Sequence, residues 1–257
     1  MPLSVSASVT GLVFGAVLIR SPAIDQSMAV GDSLDRVTDT QLRELCVHWF
    51  SPPVDENYKI IRDPTYRRSL ESFPRKRLLD RLEKIRDGRV HEVEWCAISF
   101  TLAYFGRDPV ENGKRMLAPF DMRAKLPKNV YFAGGPGEPI TVFGVFEPNL
   151  GLYDSTAQLY RKQRSDDLLV AILTMHTDGE TAYFQSYITQ VLFLIYPSDV
   201  LRVAASEHIE EEVGFHLAAE NSQPNRVRKT LAVMKKDRRP LIQAAARKVS
   251  SSFEIGY

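Results

Sequence analysis

Between Asn129 and Tyr196 the chain is punctuated by turns, and no other stretch restricts its fold so strongly. Apolar runs at Val130-Tyr131-Phe132, Ile140 to Phe146, Leu150 to Tyr160, Leu168 to Met175, Ala182 to Ile188 and Val191 to Tyr196 are separated by turn residues. Ala133-Gly134-Gly135-Pro136-Gly137 and Thr177-Asp178-Gly179 stand where hairpin connections would. The spacing predicts a central antiparallel β-sheet over about 129–196. The expected class is therefore α+β. It has a mixed N-terminal region with amphipathic helices (1–128), then the sheet followed by an acidic and a basic helical segment (129–257). One continuous domain is the alternative.

Helical signals flank this region. Thr38 or Asp39 can cap a helix whose apolar face is Leu42, Leu45, Cys46, Trp49 and Phe50, stopped by Ser51-Pro52-Pro53. A loop through Asp63-Pro64 leads to Pro74, after which Leu78, Leu79, Leu82 and Ile85 recur at helical spacing until Gly88. His91 to Phe105 is apolar enough for a buried strand or a buried helix, and strand is the preferred reading. Val200 to Glu220 and Arg226 to Val249 read as helices, the second bent or broken at Pro240. Near the start, Ser4 to Ser8 and Leu12 to Ile19 suggest a hairpin. The apolar run Val9 to Ile19 has about eleven residues, where a membrane span needs about twenty.

Net charge is only +1, yet the charge is banded. Lys59 to Arg89 holds eleven Lys or Arg against five Asp or Glu, and Gln223 to Tyr257 holds nine against two. Asp199 to Glu220 carries six acids and one arginine. Any preference for an anionic partner thus depends on where the cations lie, not on their sum. The two cysteines, Cys46 and Cys96, sit in apolar patterns with no CxxC, which suits buried thiols in a reducing, cytoplasmic setting.

Catalytic signatures are weak. Gly134-Gly135-Pro136-Gly137 lacks the Lys-Ser/Thr of a P-loop and the order of a dinucleotide fingerprint, so it reads as a tight turn and no nucleotide or other cofactor is expected. His208, Glu212 and His216 at i, i+4, i+8 would share a helical face as metal ligands must, but also fit a solvated acidic stripe. His176, closing an apolar run with Asp178 nearby, is the best candidate base for a hydrolase; His91 and His48 offer less. Glu92 and Glu94 read as an exposed strand edge. Tyr196-Pro197-Ser198-Asp199-Val200-Leu201 fits the loose tyrosine–proline–leucine pattern by which some viral structural proteins recruit budding machinery, a match short enough to arise by chance.

The basic surfaces remain. One helix would carry Arg75, Lys76, Arg77, Arg81, Lys84 and Arg86 outward, and the tail adds Arg226, Arg228, Lys229, Lys235, Lys236, Arg238, Arg239, Arg247 and Lys248. Such faces can sit against the phosphates of RNA or DNA, or against an anionic membrane. The expectation is a non-enzymatic structural or interaction protein, cytoplasmic or peripheral to a membrane. It would act in the manner of small viral matrix or nucleoprotein-associated factors. The alternatives are the hydrolase just described and a scaffold that binds another protein or itself.

Overall fold

The computed structural model describes residues 34–52, 61–121, 124–131, 150–175, 188–189, 192, 196–207 and 224–255. The expected N-terminal hairpin, the glycine-rich turn at 134–137, His176 and the His208/Glu212/His216 set lie outside them. The described residues are mainly α. They form α1 (Asp39–Phe50), α2 (Pro64–Ser72), α3 (Arg75–Asp87), α4 (Glu92–Tyr104), α5 (Pro109–Leu117), α6 (Leu150–Gln163) and α7 (Asp166–Leu173). Three more helices follow: α8 (Pro197–Glu207), α9 (Pro224–Met234) and α10 (Pro240–Ile255). The strands described are β1 (Val90–His91) and β2 (Val130–Tyr131), paired in parallel with Val90 opposite Val130.

The central antiparallel sheet is therefore corrected: Leu150 to Tyr160 and Leu168 to Met175 lie in or beside helices α6 and α7. Each has a local reason. In α7 the Ser165 side chain accepts from the Leu168 N–H, and Asp166 and Asp167 suit the positive end of the first turn. Leu168, Leu169, Ile172 and Leu173 are buried at the 3, 4 and 1 spacing of one helical face. In α6 the Ser155 hydroxyl donates to the Phe50 carbonyl at the end of α1, so a residue suggestive of a strand serves as a helix-to-helix tie.

His91 to Phe105 is the second correction. It forms α4, the hub of the molecule, packed on α1, α3, α5 and α6. Every residue from Trp95 to Ala103 is buried. A helix surrounded on all sides has no polar stripe, so its sequence shows no helical period. Its start is nonetheless encoded: the His91 side chain accepts from the Val93 N–H, and the Glu94 carboxylate accepts from the His91 N–H.

The amphipathic predictions for α1 and α3 hold. Thr38 and Gln41 form a reciprocal capping box, and Leu42, Leu45, Cys46, Trp49 and Phe50 are the buried residues of α1. In α3, Leu78, Leu79, Leu82 and Ile85 are buried, and the helix stops at Gly88. Asn129 then binds the end of α3. Its side-chain amide donates to the Arg86 and Gly88 carbonyls at 3.1 and 2.7 Å, while its own carbonyl accepts from the Val90 N–H. That is what brings β2 beside β1.

Buried apolar side chains from Leu34 to Ala246 form one cluster. Helices on either side of residue 128 pack together, α4 on α6 and α5 on α7, and α8 joins α7 to α10. An Arg202–Asp166 ion pair spans α7 and α8.

Candidate functional site: the basic surfaces

The two basic surfaces differ in what their charges already do. On α3, most cations serve the fold. Arg77 reaches Asp35 at 2.5 Å. Arg81 donates to the Asp39 carboxylate at 2.7 Å and to the Leu34 carbonyl at 2.8 Å. Together they fasten the 3-10 turn at Leu34–Arg36 and the start of α1 onto α3. Lys76 pairs with Asp80 at 2.6 Å, one helical turn on. Asp80 also takes a 2.6 Å contact from Arg107, and these two hydrogen bonds hold its carboxyl below the ordinary value. The Arg75 guanidinium lies 4.0 Å from the centre of the Phe105 ring. Arg86, expected to face water, is instead 5 % exposed and donates to Asp87 and Asn112, so of the six only the Lys84 side chain is exposed without a partner among the described residues. The expected phosphate-binding face of α3 is largely an internal clamp.

The C-terminal surface is arranged otherwise. Leu231 and Met234 are buried and seat α9, so Ala232 and Val233 between them must face outward. The chain then turns through Lys235-Lys236-Asp237-Arg238-Arg239 into α10, whose Ile242, Ala246 and Ser250 are buried at i, i+4, i+8. The turn is fastened by its one acid. Asp237 accepts from the Arg239 backbone N–H at 2.9 Å and from its guanidinium at 2.8 and 2.7 Å, which lowers its carboxyl to about 2. Its carbonyl takes the Gln243 amide at 2.6 Å.

Asp237 thus occupies Arg239 alone. Lys229, Lys236 and Arg238 are exposed, and Lys235 is half-buried. No side chain of these four pairs with an acid among the described residues. The result is an open concavity of about 720 Å³ lined by Ala232, Val233, Lys236, Asp237, Arg238 and Arg239. Arg228 is exposed on the same helix. Arg226 lies on α9, with its side chain outside the described set.

Other candidates resolve into structural roles. Tyr196 and Leu201 of the tyrosine–proline–leucine match are buried. The Tyr196 hydroxyl accepts from Arg161, and the Arg164 guanidinium covers its ring at 3.7 Å, so this segment is not displayed as a docking peptide. His48 stacks on Tyr66, and His91 caps α4. Both cysteines are buried and free, and burial raises the Cys46 thiol to about 12 and pushes the Cys96 thiol up as well, which makes them unreactive packing residues. Among the described residues no cluster of His, Cys, Asp or Glu could hold a metal, and no helix is long and apolar enough to cross a membrane.

Glu92 corrects the expected exposed edge: it is 4 % exposed at the start of α4. Its Oε2 has no hydrogen-bond donor, although His91 Nδ1 lies 3.1 Å away. That nitrogen already accepts from the Val93 N–H, so two acceptors face each other unless a proton sits between them. Burial raises the Glu92 carboxyl first, its own backbone N–H and His91 oppose this, and Glu94 adds to the rise. A carboxyl raised in the folded state binds its proton more tightly there than in the unfolded chain. Its contribution is present below the ordinary glutamate value and is lost as pH rises through the raised one. Glu92→Gln, which removes the buried carboxylate charge, is expected to raise the melting temperature at neutral pH and to flatten its decline over the range upward from the ordinary glutamate value of 4.5. Thermal melts across that range check it; an unchanged profile would mean that water reaches the carboxylate.

No family model matches the chain, and no curated protein or solved structure is similar to it.

Proposed function

We propose that the protein is a non-enzymatic interaction module that docks on a phosphate-bearing surface through the corner between α9 and α10. One observation carries the reading: Arg75, Lys76, Arg77 and Arg81 of α3 are engaged by Asp35, Asp39, Asp80 and Phe105, whereas among the described residues Lys229 on α9 and Lys235, Lys236 and Arg238 on the fastened turn pair with no acid. A turn fixed by Asp237 and Gln243 presents its charges without first having to be ordered, so little conformational entropy is lost on contact. Such contact is chiefly electrostatic and releases bound counterions.

The test is binding of the full chain to labelled single-stranded RNA, duplex DNA and anionic vesicles over about 50 to 300 mM salt. With three or four cations engaged, affinity for at least one of these should fall with salt at a logarithmic slope of about −2 to −4. Absence of binding to all three at the lowest salt would refute the reading.

A further inference from the structure

We infer that the surface met by the α9–α10 corner is an anionic lipid bilayer, an inference that rests on the docking role proposed above. The deciding feature is Val233. It is 72 % exposed, and it stands beside exposed Ala232 inside the concavity that Lys236, Arg238 and Arg239 complete. Its exposure is fixed by geometry, since Leu231 and Met234 hold the opposite face of α9 in the core.

An aliphatic side chain ringed by cations matches the membrane interface, where lipid phosphates lie just above the acyl boundary and one layer satisfies both chemistries. A nucleic acid matches it less well. Single-stranded RNA is gripped by aromatic or guanidinium planes on which bases stack, and the described lining of this concavity holds no aromatic ring. Of the two guanidiniums in the lining, Arg239 is engaged by Asp237, which leaves Arg238 as the single plane on which a base could stack. Valine adds nothing to a phosphate contact but gains from entering an acyl layer.

The test is co-sedimentation of the full chain with phosphatidylcholine vesicles and with vesicles containing about 30 % phosphatidylserine, beside anisotropy binding to single-stranded RNA at the same salt. Binding is expected to the phosphatidylserine vesicles and not to phosphatidylcholine alone. Lys236→Glu with Arg238→Glu should weaken it at least 25-fold, at about fivefold or more per cation. Val233→Ser, at a position 72 % exposed, should weaken vesicle binding about tenfold and leave any RNA binding unchanged. Binding to RNA with none to either vesicle would overturn the bilayer inference and leave the docking role standing. Vesicle binding indifferent to Val233→Ser would also overturn it, since charge alone would then account for the contact. Binding to neither probe would overturn the bilayer inference, and absence of binding to duplex DNA as well would overturn the docking role.

Discussion

Phe100→Ala is expected to destabilise the protein by about 3–5 kcal/mol, lowering its melting temperature by roughly 10 °C. Phe100 is fully buried at the centre of α4. Its ring lies 4.8 Å from Trp49 edge-on, 5.6 Å from Phe50 and 5.8 Å from Tyr104, so it joins the hub helix to α1. Truncation removes both the transfer free energy of the ring and its packing, leaving a cavity that helices fixed on several sides cannot collapse to fill. Phe100→Leu keeps much of the volume and should cost less than half as much. Urea unfolding of the two variants measures this. A loss below about 1 kcal/mol for alanine would mean that α4 is not the centre of the core.

Asn112→Leu is expected to cost about 3–5 kcal/mol, although leucine is apolar and similar in size. Asn112 is 1 % exposed and joins three segments. Its oxygen accepts from the Arg86 guanidinium, which is itself only 5 % exposed, and its amide donates to the Arg107 carbonyl at 2.6 Å. Leucine would leave a buried cation with Asp87 as its remaining side-chain partner, at 3.1 Å, and would orphan a backbone carbonyl. Arg86→Met in the same chain removes the stranded charge, so the double variant should be more stable than Asn112→Leu alone. Equal or additive losses would show that the two side chains are not coupled.

The legibility of this fold follows burial. The sequence states α1 and α3 openly because each has one face in water, which leaves an apolar stripe at helical spacing bounded by caps. It conceals α4 because burial on every side erases that stripe, and the capping box at His91 and Glu94 uses a histidine where serine or threonine is usual. Two helices, α2 and α5, begin at Asp63-Pro64 and Asp108-Pro109, pairs that read as turns. In the first, the Asp63 side chain caps the Thr65 N–H and Pro64 opens the first turn, where it lacks no needed donor. The α7 run looked like a strand because Leu, Val and Ile serve either state, and Ser165 three residues before the run was the usable signal.

At the surface, the sequence shows where positive charge is concentrated but neither that Arg86 is buried nor which cations are paired. Asp35 and Asp39 lie about forty residues before the arginines they engage, each hydrogen bond spanning 42 positions. No local count of charge can anticipate such pairing. In the tail the acid nearest in sequence, Asp237, binds its neighbour two residues on, so among the described residues Lys229, Lys235, Lys236 and Arg238 pair with no acid.

That contrast supplies the most direct measurement: salt-dependent binding of two charge-reversed chains to the same phosphatidylserine vesicles or RNA. One carries Lys236→Glu and Arg238→Glu, the other Lys76→Glu and Lys84→Glu, both exposed on α3. The account predicts that the first loses affinity at least 25-fold and about two units of salt slope, while the second stays within about threefold of the unaltered chain. The reverse order, with the α3 pair abolishing binding and the corner pair leaving it intact, would contradict it.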